Sequence, residues 1–100
     1  MGSFSLTNAA KADLRNIARF TEQSWGREQR KLYLKGMDDA FRRLAESPAL
    51  GVSCEYIAPE LRKHPFKSHV IYYDIASATQ VLIVRVLHKR MDVSHAPFNK

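Results

Sequence analysis

The stretch that most constrains the fold covers residues 69–93, HVIYYDIASATQVLIVRVLHKRMDV. Val70, Ile71, Tyr72, Tyr73 and Ile75 are β-branched or aromatic, and Val81-Leu82-Ile83-Val84-Arg85-Val86-Leu87 is similar. Residues 76–80 between them are short and carry no bulky apolar group. This pattern predicts a β-hairpin. Strict alternation puts Val81, Ile83 and Leu87 on one face of the second strand and Leu82, Val84 and Val86 on the other. An antiparallel strand that is apolar on both faces needs cover on both. Tyr72 and Tyr73 must point to opposite faces, so one is core and only the other is a candidate contact or catalytic residue.

The preceding residues supply cover for one face. Phe4-Ser5-Leu6 reads as a first strand, followed by Asn8 as a helix cap. Ala10, Leu14, Ile17, Ala18, Thr21 and Trp25 recur at helical spacing, and Gly26 is the natural stop. Leu34, Met37, Phe41 and Leu44 form the stripe of a second helix that ends at Ser47-Pro48 and Gly51. So tight a connection makes an αα-hairpin. Residues 51–59 read as a loop carrying Cys54 and Tyr56. Residues 61–66 read as a strand that Pro65 confines to an edge, and Lys67-Ser68 turns it into the hairpin. The expected architecture is α+β with the order β-α-α-β-β-β. An N-terminal strand and an αα-hairpin pack on one face of a small antiparallel sheet, in a single domain over residues 1–100. Two helices cover one face of that sheet, so the other is expected to stay open.

Composition narrows the class. With 45% hydrophobic and 26% charged residues the chain is globular rather than disordered. No apolar run approaches the roughly 20 residues of a membrane span. The first residues show no basic head with an apolar segment, so no signal peptide is expected, and Leu6 stands where a myristoylation motif requires Ser or Thr. Cys54 is alone, which excludes an internal disulfide and fits a cytoplasmic protein. The net charge of +6 favours acidic partners.

There is no phosphate-binding Gly-rich loop, no paired Cys, no His-x-x-x-His and no Gly-x-Ser-x-Gly, so neither a metal nor a cofactor is expected. His64, His69, His88 and His95 are scattered without metal-ligand spacing. Arg85 interrupts an apolar strand and has two readings. It is a rim arginine with its head in water, or an anchor for a carboxylate or phosphate. Lys89 and Arg90 follow it, with Arg62, Lys63 and Lys67 on the neighbouring strand, so one end of the sheet is basic. Arg62, Tyr73, Ile83, Arg85, Leu87, Lys89 and Arg90 are the candidate binding residues.

These pieces resemble a known family. Leu6-Thr7-x-x-Ala10-x-x-Asp13-Leu14-x-x-Ile17-x-x-Phe20 is similar to the opening signature of ParE-type toxins in the RelE/ParE superfamily. Leu61-Arg62-x-x-Pro65-x-x-Ser68-His69-Val70-Ile71-Tyr72-Tyr73 and Val84-Arg85-Val86-Leu87-His88-x-x-Met91-Asp92 resemble its later segments, in the same order. The resemblance implies the toxin of a type II toxin–antitoxin module that supports plasmid or chromosome stability and arrests growth. It implies a ParD-like antitoxin whose acidic or amphipathic C-terminal segment folds over the toxin, and DNA gyrase, through its A subunit, as target. Nucleic acid would be met only indirectly, through gyrase. The superfamily also contains ribosome-dependent mRNA interferases, with basic residues around the sheet and a C-terminal Tyr or His. Lys89 and Arg90 match part of that basic set, but no Tyr follows Tyr73. His95 is near that position and its ordinary pKa suits a general base, although a tail histidine is the plainer reading. The missing Tyr favours a gyrase poison over a catalyst, with no catalytic residue assigned.

Overall fold

A computed structural model of the chain describes residues 2–93 and 98. Its elements are β1 (Ser3–Leu6), α1 (Asn8–Trp25), α2 (Arg27–Glu46), a 3-10 turn (Pro48–Leu50), β2 (Val52–Ser53), β3 (Arg62–Phe66), β4 (His69–Ser77) and β5 (Gln80–His88). The fold is α+β, an N-terminal strand and two helices with a sheet. Strand β2 lies within residues expected to be loop. It is two residues long, too short to leave a periodic signature. Sheet order is β1-β5-β4-β3-β2. β2 to β5 pair antiparallel, whereas β1 lies at the edge and runs parallel to β5, so the sheet is mixed. A parallel pair needs a long crossover, and everything between β1 and β5 supplies it. β2 pairs only with Arg62 and Lys63, which leaves Pro65 beyond the covered part of β3.

Thr7, not Asn8, caps α1, and its hydroxyl accepts from the Ala10 N–H. Gly26 closes α1 and opens α2 at φ 93 and ψ 172. This backbone is essentially restricted to glycine. Across it, Arg30 of α2 donates to Glu22 of α1 at 3.0 Å. The main core joins Ala10 and Ile17 of α1 and Met37, Phe41 and Leu44 of α2 to Ile71, Tyr73, Val81, Ile83 and Val86 of the sheet. Trp25 does not share the buried stripe, since 73% of it is exposed.

The strict alternation expected of β5 fails at one place. Tyr72 pairs with Arg85 and Tyr73 with Ile83, so Val84 is the extra residue of a β-bulge. A bulge sets two residues against one and resets the alternation beyond it. Val86 therefore joins Val81 and Ile83 under the helices, while Leu87 joins Val84 on the opposite face. Tyr73 and Tyr72 divide between the two faces in the same way.

Three of the expected binding residues are corrected by this packing. Ile83 and Tyr73 have no exposed area and lie beneath the helices. Leu87 does not share a face with Ile83 and is itself buried. The face away from the helices is not open either. Cys54, Leu61, Tyr72, Val84 and Leu87 form a second cluster there. Ile57 and Ala58 of the loop before β3, together with Val93 and Phe98, pack against it. Loop and C-terminal residues thus provide cover that the helices cannot.

Candidate functional site

The first grouping of polar side chains is at the bulge. A bulge leaves ladder groups unpaired, and buried backbone polar groups need partners. The start of α1 supplies them. Thr7 Oγ1 donates to the Val84 carbonyl at 2.7 Å, and the Thr7 N–H donates to the Ile83 carbonyl at 3.0 Å. Further along α1, Asp13 Oδ2 accepts from the Val86 N–H at 2.9 Å. Both Asp13 oxygens also accept from the Arg85 guanidinium, Nε at 2.7 Å and Nη2 at 2.8 Å. The bidentate geometry raises the Arg85 pKa above its ordinary value, with burial opposing. Arg85 is an anchor for a carboxylate, and the carboxylate belongs to its own chain.

The second grouping is at the end of the sheet where the β3–β4 turn meets the end of β5. The Lys89 N–H donates to the Ser68 carbonyl at 2.9 Å, which brings Lys67, Lys89 and Arg90 to one corner. Lys67 takes φ 52, the left-handed backbone of so short a turn. Its ammonium lies 5.7 Å from the centre of the Tyr33 ring and 5.6 Å from that of Phe66. His69 and His88 are cross-strand partners with ring centres 5.4 Å apart. The Tyr33 hydroxyl lies 2.6 Å from His69 Nδ1. Burial pushes the His69 pKa below its ordinary value, and the neighbouring His88 adds to this, with Asp13 opposing. Burial pushes the Tyr33 phenol up, while hydrogen bonds from Ser68 pull the other way.

The expected site residues separate accordingly. Lys89 and Arg90 are exposed side by side at this corner. Arg85 is close in sequence but held by Asp13. Arg62 is at the other end of β3, where Nη2 donates to the Gly51 carbonyl at 2.6 Å and the Ala49 carbonyl at 3.3 Å. The Tyr73 hydroxyl donates to the Pro48 carbonyl at 2.6 Å and accepts from the Gly51 N–H at 2.8 Å. A Cβ at Gly51 would fall 2.4 Å from that hydroxyl oxygen, so only glycine admits the contact. Arg62 and Tyr73 therefore brace the 3-10 turn. His95 lies outside the described residues. Among the described residues no group of three His, Cys, Asp or Glu is placed to hold a metal, and no helix is long and apolar enough to cross a membrane.

Residues 4–93 match the family described as "ParE toxin of type II toxin-antitoxin system, parDE". The chain belongs to the ParE toxin family. Among its curated relatives, a Toxin ParE1 from Mycobacterium tuberculosis (strain ATCC 25618 / H37Rv) is 38% identical over 90 residues, covering 90% of this chain and 92% of the relative. Toxin ParE1 of Caulobacter vibrioides is 35% identical over 92 residues, covering 92% and 94%. Toxin ParE of Escherichia coli is 31% identical over 93 residues, covering 93% and 90%. A chain from a structure titled "Chromosomal ParDE TA system from P. aeruginosa" superposes with a TM-score of 0.74 at 18% identity, covering 88% of this chain and 96% of that one. That likeness extends to the fold. Membership of a toxin–antitoxin family implies an antitoxin partner for this ParE-family chain.

Sequence reasoning missed Thr7 and Asp13 as partners of the bulge, because no local pattern marks a bulge within an apolar run. It also missed the place where Phe20, Trp25 and Tyr33 meet. The available signal was Phe20, an aromatic residue lying off the stripe of α1.

Proposed function

We propose that this chain is the toxin of a ParDE-type module, that it inhibits DNA gyrase in the cytoplasm, and that a ParD-like antitoxin neutralises it. Family membership over residues 4–93 supports the class. The observation that carries the choice of mechanism is the state of Arg85. An arginine that stabilises a phosphoryl transition state must offer its fork of donors to the substrate. Here Asp13 takes that fork from two sides at 2.7 and 2.8 Å. The geometry therefore favours a protein that acts by binding. Exposed Lys89 and Arg90, on a chain of net charge +6, suit an acidic antitoxin segment and the surface of a DNA-bound enzyme.

The deciding experiment is a gyrase supercoiling assay with purified, folded protein, beside mapping of mRNA ends after induction in cells. Inhibition of supercoiling, relieved by a ParD-like antitoxin, with unchanged mRNA ends, is the expected result. New mRNA ends with unaffected supercoiling would instead establish the mRNA interferase reading, in which Lys89 and Arg90 contact RNA.

A further inference from the structure

Phe20 and Trp25 are unusually exposed for large aromatic side chains, at 66% and 73%. They wall a cavity of about 470 Å³ between the helical hairpin and the sheet. Tyr33, Ser68, His69 and His88 line the same cavity. Small-molecule sites typically occupy about 300–1,000 Å³.

The hydrogen bonds show what the two histidines can offer. The Tyr33 hydroxyl and His69 Nδ1 are hydrogen-bonded to each other at 2.6 Å. The Arg90 N–H donates to His88 Nδ1 at 3.1 Å. His88 Nδ1 is thus an acceptor, so the ring proton lies on Nε2, which presents a donor. Lys67, Lys89 and Arg90 stand at the same corner. No carboxylate is among the lining residues. The charge of Asp13 reaches His69, but that carboxylate is engaged by Arg85. The cavity thus joins donors that complement an anion to flat aromatic faces.

We propose that this groove binds one nucleotide of a single-stranded nucleic acid, its phosphate held by His69 and His88 and its base stacked on Phe20 and Trp25. Nucleic-acid grooves that are indifferent to sequence combine these two elements, cations along the backbone and aromatic platforms for the bases. An acidic protein segment would share the charge but not the walls. No Leu, Ile, Val or Met lines this cavity, so an aliphatic side chain of a peptide finds no aliphatic partner there, whereas a base finds aromatic faces. Contact with nucleic acid would then be direct as well as through gyrase.

The chain has a single tryptophan, so the fluorescence of Trp25 reports on the groove. Titration with a short oligothymidylate should quench it saturably, with an affinity that falls as salt rises. Phe20→Ala and His88→Ala should each weaken binding, and Trp25→Ala should do so in an anisotropy assay with labelled oligonucleotide. Loss of one stacked base corresponds to about fivefold to a hundredfold. Phe20, Trp25 and His88 are exposed, so the circular dichroism of these variants should match that of the parent. Binding without quenching, or unchanged in the Phe20→Ala/Trp25→Ala double variant, would overturn the proposal. So would polyglutamate displacing the oligonucleotide at equal charge concentration, which would make an acidic protein segment the occupant. The measurement contains no gyrase, so its outcome is independent of the gyrase assay.

Discussion

Asp13 binds three donors at once: Arg85 Nε, Arg85 Nη2 and the Val86 N–H. Its side chain is 11% exposed and that of Arg85 15%. Removing one partner of a buried pair leaves the other charge uncompensated, at a cost of about 3–5 kcal/mol. Asp13→Ala also orphans the Val86 amide. It should therefore destabilise the protein by at least about 3 kcal/mol in urea unfolding, whereas replacing both partners with apolar residues of similar volume should cost far less. A loss under about 1 kcal/mol for Asp13→Ala would mean that water satisfies Arg85. His69 and His64 make a second prediction at this scale. Burial lowers both pKa values below the ordinary 6.5. Above that value both are neutral folded and unfolded, and their contribution is fully present. As pH falls through 6.5 the unfolded chain takes up protons first, so stability declines until the folded pKa values are passed. His69→Gln should flatten that decline in thermal melts taken from about pH 7 to about pH 5. An unchanged slope would assign the decline to other groups.

At the level of elements, the hairpin of helices depends on one residue. Gly26 holds φ 93 and ψ 172, yet a Cβ there would meet nothing within 4 Å. Gly26→Ala therefore isolates backbone strain from steric clash, and it should cost about 1–3 kcal/mol without altering the core. Chemical unfolding measures this, and a neutral result would mean that the junction relaxes to another conformation. This turn was legible in the sequence, because a glycine between two amphipathic stripes has few other roles. The hairpin of β4 and β5 was legible for the same kind of reason, since its apolar residues recur locally. The bulge was not. Every residue from Val81 to Val84 is apolar, so shifting the register by one leaves the pattern unchanged, and only the partners Thr7 and Asp13 show where the ladder breaks. Ile83 and Leu87 were assigned to one face for that reason. The cover over the second face escaped notice too, because Ile57, Ala58, Val93 and Phe98 come from segments without periodicity. Of the candidate site, the exposed pair Lys89 and Arg90 could be read from charge alone. Arg62 and Tyr73 could not be placed, since their partners are backbone groups of the 3-10 turn.

For the molecule as a whole, the proposed function puts stability and binding on different residues, and that separation can be tested. Ile83 has no exposed area, and truncating a buried Ile to Ala costs about 2–5 kcal/mol. A domain is stabilised by only about 5–15 kcal/mol in total, so Ile83→Ala should lose folded protein before it loses affinity for any partner. Lys89 and Arg90 are the converse case. Both are exposed, and surface substitutions of this kind shift stability by about 0.5 kcal/mol or less. On the proposed function their charges would act on an approaching partner, where attraction between opposite fields changes association rates by about tenfold or more at low salt. Lys89→Glu combined with Arg90→Glu should therefore leave the melting temperature nearly unchanged. It should slow association with an acidic antitoxin segment by about tenfold at low ionic strength, and the deficit should shrink as salt is added. Stopped-flow association at two salt concentrations measures both effects. A deficit that persists at high salt would point to direct hydrogen bonds from these side chains rather than steering. Unchanged association at low salt would move the antitoxin contact away from the basic corner and leave Lys89 and Arg90 to the proposed contacts with gyrase or nucleic acid.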